Sequence, residues 1–438
     1  MLRMRRWLAG LLLLAPMLAA AVPAREDVVL TLQPDDLGAI AVTELPRLSV
    51  MRYRDKRWEA VPFQIDEMDE HGLVWFPGNR FRRLGKVRQF DGQDELLLMW
   101  SDGGQSRGST PLPEGTIQAE IRVRAPDTGD LRFFYLVADN PQRSPRFYVV
   151  HDPESGVTRT ERYLLTTDPD NELNWRFLGY DGYTGSSNAS IVDHLRMNMS
   201  GGVLFSFARM TLDNENLRPE LVGFKIGPIR STMHLETRVV FAGLPMMKMH
   251  VQARRYANHY EAHTYARIPA VYRATLKQPQ VIVSVDGNVP HGAIVRTARG
   301  GEHVGTVDGR IDTDEQALVN AGLSTDNSWI LFDSNQDFAL LTFLNVPREL
   351  SGIPLGLVYE DSEQARSGER FPGRSPELGY RLEGWPPEDE LRFSLQLFFD
   401  STLRDTDPET YVLQRSGANL QLQVNLPGSP SPAAEVRR

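Results

Sequence analysis

Short runs of β-forming residues, cut by Gly, Pro, Asn and Asp at close intervals, constrain this chain more than any other feature. Residues 117–124 alternate, so that Ile117, Ala119, Ile121 and Val123 would line one face of a strand. Similar runs fall at 28–32, 131–137, 147–150, 239–265, 281–285, 329–332, 338–344 and 391–399. Helical periodicity with caps is scarce. The stretch 313–321 is the exception, because Asp314 and Glu315 would favour a helix N-terminus there. Many short strands between turns predict an all-β protein of sandwiches or barrels, not βαβ units. No glycine-rich phosphate loop follows any run, which argues against a nucleotide fold.

The first residues predict export. Arg3, Arg5 and Arg6 precede an apolar run, 7–18, and Ala19, Ala20 and Ala21 follow as small residues for cleavage. The run is shorter than the ~20 residues of a membrane span, so a signal peptide at 1–21 and a periplasmic or secreted protein are expected. No transmembrane segment is expected after cleavage. The rest carries 45 basic against 57 acidic residues, a charge of −12, which leaves no footprint for nucleic acid. There is no cysteine, which excludes disulfides, thiolate catalysis and covalent c-type haem. A polar stretch at 151–156 divides the expected domains into 22–153 and 154–425, with a disordered tail at 426–438.

Two acidic motifs lie in the first of these. Residues 58–70 read WEAVPFQIDEMDE and residues 90–104 read FDGQDELLLMWSDGG. Asp66, Asp91, Asp94 and Glu95 are candidate calcium ligands, since carboxylates on adjacent loops supply the oxygens that cation wants. Asx-rich turns with solvated charges are the alternative. The same two motifs, with residues 224–231 (FKIGPIRS), resemble segments of secreted bacterial β-supersandwich proteins of carbohydrate-active type. That resemblance implies an N-terminal β-sandwich followed by a larger antiparallel β-supersandwich-like domain, with 237–268 as its long strand pair. It carries no catalytic residue across.

Sugar sites pair flat rings with carboxylates and amides. Residues 171–190 form a polar, aromatic stretch that reads as a functional loop. Trp175, Tyr180, Tyr183, Arg255, His259, Tyr260 and Glu261 are therefore the candidate residues for a carbohydrate ligand, bound or processed. Core packing is the competing role of each ring. A second constellation competes with the first. Seven of 13 Met and five of nine His fall in or beside 194–263. His194, Met197, Met199, Met247, Met249, His250, His259 and His263 are candidate ligands for copper or haem in the periplasm. Met packing between sheets, or a Met-lined groove for an unknown protein partner, would explain the same bias.

Overall fold

The computed structural model describes residues 25–180, 190–203, 209–241, 243–289, 291–364, 370–371, 375–400 and 407–427. Among them 51% are strand and 12% helix, so the all-β expectation holds. The alternating run at 117–124 forms the strand Thr116–Arg124, with Ala119, Ile121 and Val123 turned into a core. The predicted helix is present as Thr313–Ala321. Asp312 caps it and Glu315 closes a capping box, which satisfies the first amides.

Two sandwiches result. In the N-terminal one, a three-stranded sheet of Val29–Leu32, Glu95–Met99 and Phe63–Asp66 faces a five-stranded sheet. Between them lie Leu32, Leu48, Leu96, Leu98, Ile121 and Phe134. The edge of the five-stranded sheet is Gln421–Asn425, which pairs antiparallel with Thr116–Arg124. That strand falls within the stretch 154–425 read above as the larger domain, yet it completes the smaller one. Leu426, expected in a loose tail, also packs on this core.

The larger sandwich rests on a nine-stranded antiparallel sheet whose centre is Leu244–Arg255, His259–Arg267 and Glu390–Asp400. One face of this sheet meets a five-stranded and a four-stranded sheet over Leu165, Trp175, Tyr260, Val283, Leu340, Tyr380 and Leu395. The other face is partly roofed by the N-terminal segment after Asp66. There the Gln252 side chain accepts from the Val74 N–H (2.9 Å) and donates to the Val74 carbonyl (2.7 Å).

One guanidinium ties the two sandwiches together. Arg230, 1% exposed, donates from Nε to Asp66 (2.7 Å), from Nη2 to Glu95 (2.6 Å) and from Nη1 to the Tyr256 hydroxyl (2.8 Å). Asp66 and Glu95 are cross-strand neighbours, which places both within its reach. Lys225 adds a second cation on Asp66 at 2.5 Å. Gln64, on the same strand face as Asp66, accepts the N–H groups of Ile229 and Arg230. A Cβ on Gly227 would collide with that Gln64 amide, so the turn before Arg230 requires glycine. Burial alone would raise the Asp66 carboxyl, but Arg230 and Lys225 outweigh it and hold it at about 2. Removing one partner of such a buried set typically costs about 3–5 kcal/mol. Arg230→Met is expected to lower stability by about that amount in urea unfolding at pH 7. Asp66→Asn should cost less, because Arg230 keeps Glu95; equal or reversed losses would contradict this arrangement.

Candidate functional site

The strands Leu244–Arg255 and His259–Arg267 are joined by a tight turn, closed by the Tyr256 N–H on the His259 carbonyl (2.9 Å). Their register sets Arg254 opposite Glu261 and Gln252 opposite His263. Side chains alternate across a sheet. Gln252, Arg254, His259, Glu261 and His263 therefore stand on the roofed face, while Arg255, Tyr260 and Ala262 stand on the core face. Where the roofed face meets residues 27–31 and the helix Pro408–Ser416, a polar cavity of ≈280 Å³ opens. Glu95, Arg230, Arg254, Tyr256, His259, Glu261, Gln396, Phe398 and Arg415 line it, with Asp27 and Ser416 at the sides.

Its wall is a stack of rings. Tyr256 lies on His259 at 4.0 Å and 10°, and His259 lies on Phe398 at 4.6 Å and 20°. Burial, helped by Arg415 and Arg230, pushes the His259 imidazole down to about 3, so it is neutral at pH 7. Burial pushes the Tyr256 phenol up to about 12 against the pull of Arg230. Neither ring exchanges a proton near neutrality, and each is almost wholly buried within the stack. Glu261 sits 3.8 Å from Arg254 and 3.5 Å from the Tyr256 hydroxyl. The site thus sets a carboxylate and guanidinium groups beside an uncharged ring wall, which suits a ligand rich in hydroxyl groups.

The structure brings together His259 and Glu261 from the sugar candidates, and Glu95 from the calcium candidates. It separates the others. Trp175 is not on a loop: Asn171–Tyr180 is a strand, and Trp175 packs edge-on against Tyr260 in the core, 4.9 Å between rings. Arg255 is buried on the same face against Glu172. Tyr180 is half-buried beside Phe338, and Tyr183 lies outside the described residues. The calcium set is already occupied by the protein itself. Asp66 and Glu95 close on Arg230, Asp94 accepts the N–H groups of Met68 and Asp91, and Asp91 accepts that of Lys86. Sequence reading missed Asp27 and Arg415, which arrive from the two ends of the described chain and carry no local signal.

The thioether and imidazole groups do not converge either. On Leu244–Arg255, Met247 and Met249 face the core while His250 faces the roof, where it meets His234 at 3.2 Å. His259 and His263 also lie on the roofed side, ~13 Å apart along the strand at ~3.3 Å per residue. Met197 and Met199 pack inward with Leu173, Leu212 and Val239, whereas His194 points the other way. The sheets thus set the imidazoles on the faces opposite the methionines. Four methionines, Met199, Met210, Met246 and Met247, border an apolar cavity of ≈90 Å³ together with Tyr272 and Trp385. His194 lies in a polar cavity of ≈460 Å³ with Asn171, Asn174 and Asn198. There Asp193, His194 and Asp286 approach one another within 4.8 Å, and Arg370 and Arg196 already neutralise the two carboxylates. No described helix is long and apolar enough to cross a membrane.

With this geometry in hand, the fold defines a class: large antiparallel sheets packed as β-sandwiches. An α-mannosidase from Enterococcus faecalis V583 superposes with a TM-score of 0.50 over 91% of this chain, at 10% identity. This chain spans 44% of that enzyme's length. A glycosyl hydrolase family 38 protein from Enterococcus faecalis gives a TM-score of 0.47 at 10% identity over 91% of this chain and 46% of that one. An aldose epimerase homologue from C. elegans gives 0.29 at 11% identity, over 57% of this chain and 97% of that one. No protein-family model matches the sequence, and no curated protein matches it. The likeness to the first of these is one of fold.

Five imidazoles weigh on the acid stability, and burial pushes one of them, His263, well below its usual range. Burial holds His151, His234 and His259 at about 3 and His250 at about 4, against ~6.5 in an unfolded chain. The unfolded state takes protons first, so the stability they lend is complete above pH ~6.5 and drains away as pH falls towards 4. The melting temperature should hold between pH 7 and 8 and fall steadily from pH 6.5 to 4.5. A flat profile over that range would contradict their buried, neutral state.

Proposed function

We propose that this chain is an exported protein that binds carbohydrate in the cavity beneath Tyr256 and His259. The observation that carries the reading is the Glu261–Arg254 pair beside the uncharged Tyr256–His259–Phe398 wall in one polar cavity. Sugars present a fringe of hydroxyl groups, and the carboxylate, amide and guanidinium groups of this lining are counterparts for them. The fold likeness to the mannosidase supports the choice of ligand class without assigning the chemistry.

Calorimetry with a panel of mono- and oligosaccharides tests this. His259→Ala removes the middle ring of the wall and Glu261→Gln removes the anionic acceptor. Each is expected to weaken binding about tenfold, roughly 1.4 kcal/mol, without changing the far-UV spectrum. A panel in which no saccharide binds, or variants that bind as well as the parent, would dispose of the reading. Export has its own check: mass spectrometry of protein from the periplasmic fraction should give an N-terminus at Val22. An intact Met1 there would argue against cleavage.

A further inference from the structure

The apolar cavity of the larger sandwich is built for a different chemistry from the polar one. One side is the nine-stranded sheet, through Val239, Met246 and Met247, and the other is the five-stranded sheet, through Met199, Met210 and Val281. Tyr272, from the short helix Ala270–Thr275, and Trp385 join the lining. The four methionines, Val281 and both rings are half-buried, so they keep surface for a ligand to cover. The polar ends of the rings are tied to backbone. The Tyr272 hydroxyl donates to the Met246 carbonyl (3.1 Å), and the Trp385 indole donates to the Leu276 carbonyl (3.3 Å). Among the described residues no charged side chain lines this space, and Ser200 and Gln280 are its only other polar side chains.

A water molecule needs about 10–15 Å³ of such volume and two to four polar partners. The ≈90 Å³ here has room for several, but the lining offers few partners. Water therefore fills it poorly, and apolar matter fills it well. The volume is below the ~150 Å³ of a cavity that takes a benzene ring, which favours a slender chain over an aromatic ligand. Four unbranched thioether side chains can shift to follow such a chain. Outside the lining the apolar character continues. Leu244, 67% exposed, stands two residues before Met246, and Val271, 58% exposed, stands one before Tyr272. We propose that this cavity takes the end of a linear alkyl or acyl chain, as carried by a fatty acid or another single-chain amphiphile, independently of any carbohydrate.

The test is calorimetry on the full-length protein with hexanoate, octanoate, decanoate and phenylacetate, each kept below any micelle concentration. Affinity is expected to rise about fourfold for each methylene that enters the cavity. Phenylacetate is expected to bind roughly tenfold more weakly than octanoate, and Val281→Phe, which fills the space, to weaken decanoate about tenfold. A readout on the parent protein serves if that variant does not fold. Decanoate should slow the peroxide oxidation of Met246 and Met247 about threefold or more, followed by mass spectrometry. Affinity that does not grow with chain length, phenylacetate that binds as well as octanoate, or methionines oxidised at the same rate with decanoate present would each overturn the proposal. So would a protein that binds no chain and runs as a dimer that Val281→Phe dissociates, since the space would then belong to a second copy. None of these results bears on the saccharide panel, which reads the other cavity.

Discussion

The guanidinium of Arg230 is the point on which the arrangement depends. It joins Asp66 of one motif, Glu95 of a second and the turn of a third, across sequence separations of 164 and 135 residues. Burying these charges is unfavourable unless each is met; here Glu95 is met by Arg230, and Arg230 and Asp66 are each met more than once. The set therefore defines one relative placement of the two sandwiches better than an apolar contact would. It also holds the Tyr256 hydroxyl, so the wall of the cavity is fixed by the same group that fixes the domains. Stability and site are coupled through a single side chain.

That coupling explains where the cavity lies. The roofed face of a large sheet bears Gln252, Arg254, Glu261, His263 and Gln396, residues that would ordinarily face water. The N-terminal segment covers part of this face with Val74 and Gly72, and leaves a gap beside residues 27–31 and the C-terminal helix. The lining then comes from both sandwiches, and neither encloses the space without the other. Low solvent access makes every polar contact inside it worth more than at an open surface.

Much of this was legible from local pattern. Period-two alternation placed the strands, and the acidic first turn placed the helix Thr313–Ala321. The common face of His259, Glu261 and His263 followed from their spacing alone. What stayed hidden needed register or distant pairing. Trp175 and Tyr260 looked like ligand platforms because composition does not say which face of a strand is the core. The methionine and histidine bias looked like one cluster for the same reason; a shift of one residue separates Met249 from His250 by the thickness of a sheet. Asp66 and Glu95 looked like cation ligands, and they do hold a cation, but it is an arginine from 164 and 135 residues away.

The strand Gln421–Asn425 gives the molecule a late-closing seam. Its partner, Thr116–Arg124, lies about three hundred residues earlier; Asn425 reaches Glu120 across 305. Until that strand arrives, the five-stranded sheet of the smaller sandwich has a bare edge, with unpaired amides and an uncovered apolar rim. Contacts of such separation form slowly, because the loop they close must be ordered first. The smaller sandwich, although first in sequence, is therefore last to be sealed. A growing chain keeps this part open until the strand Gln421–Asn425 has been made.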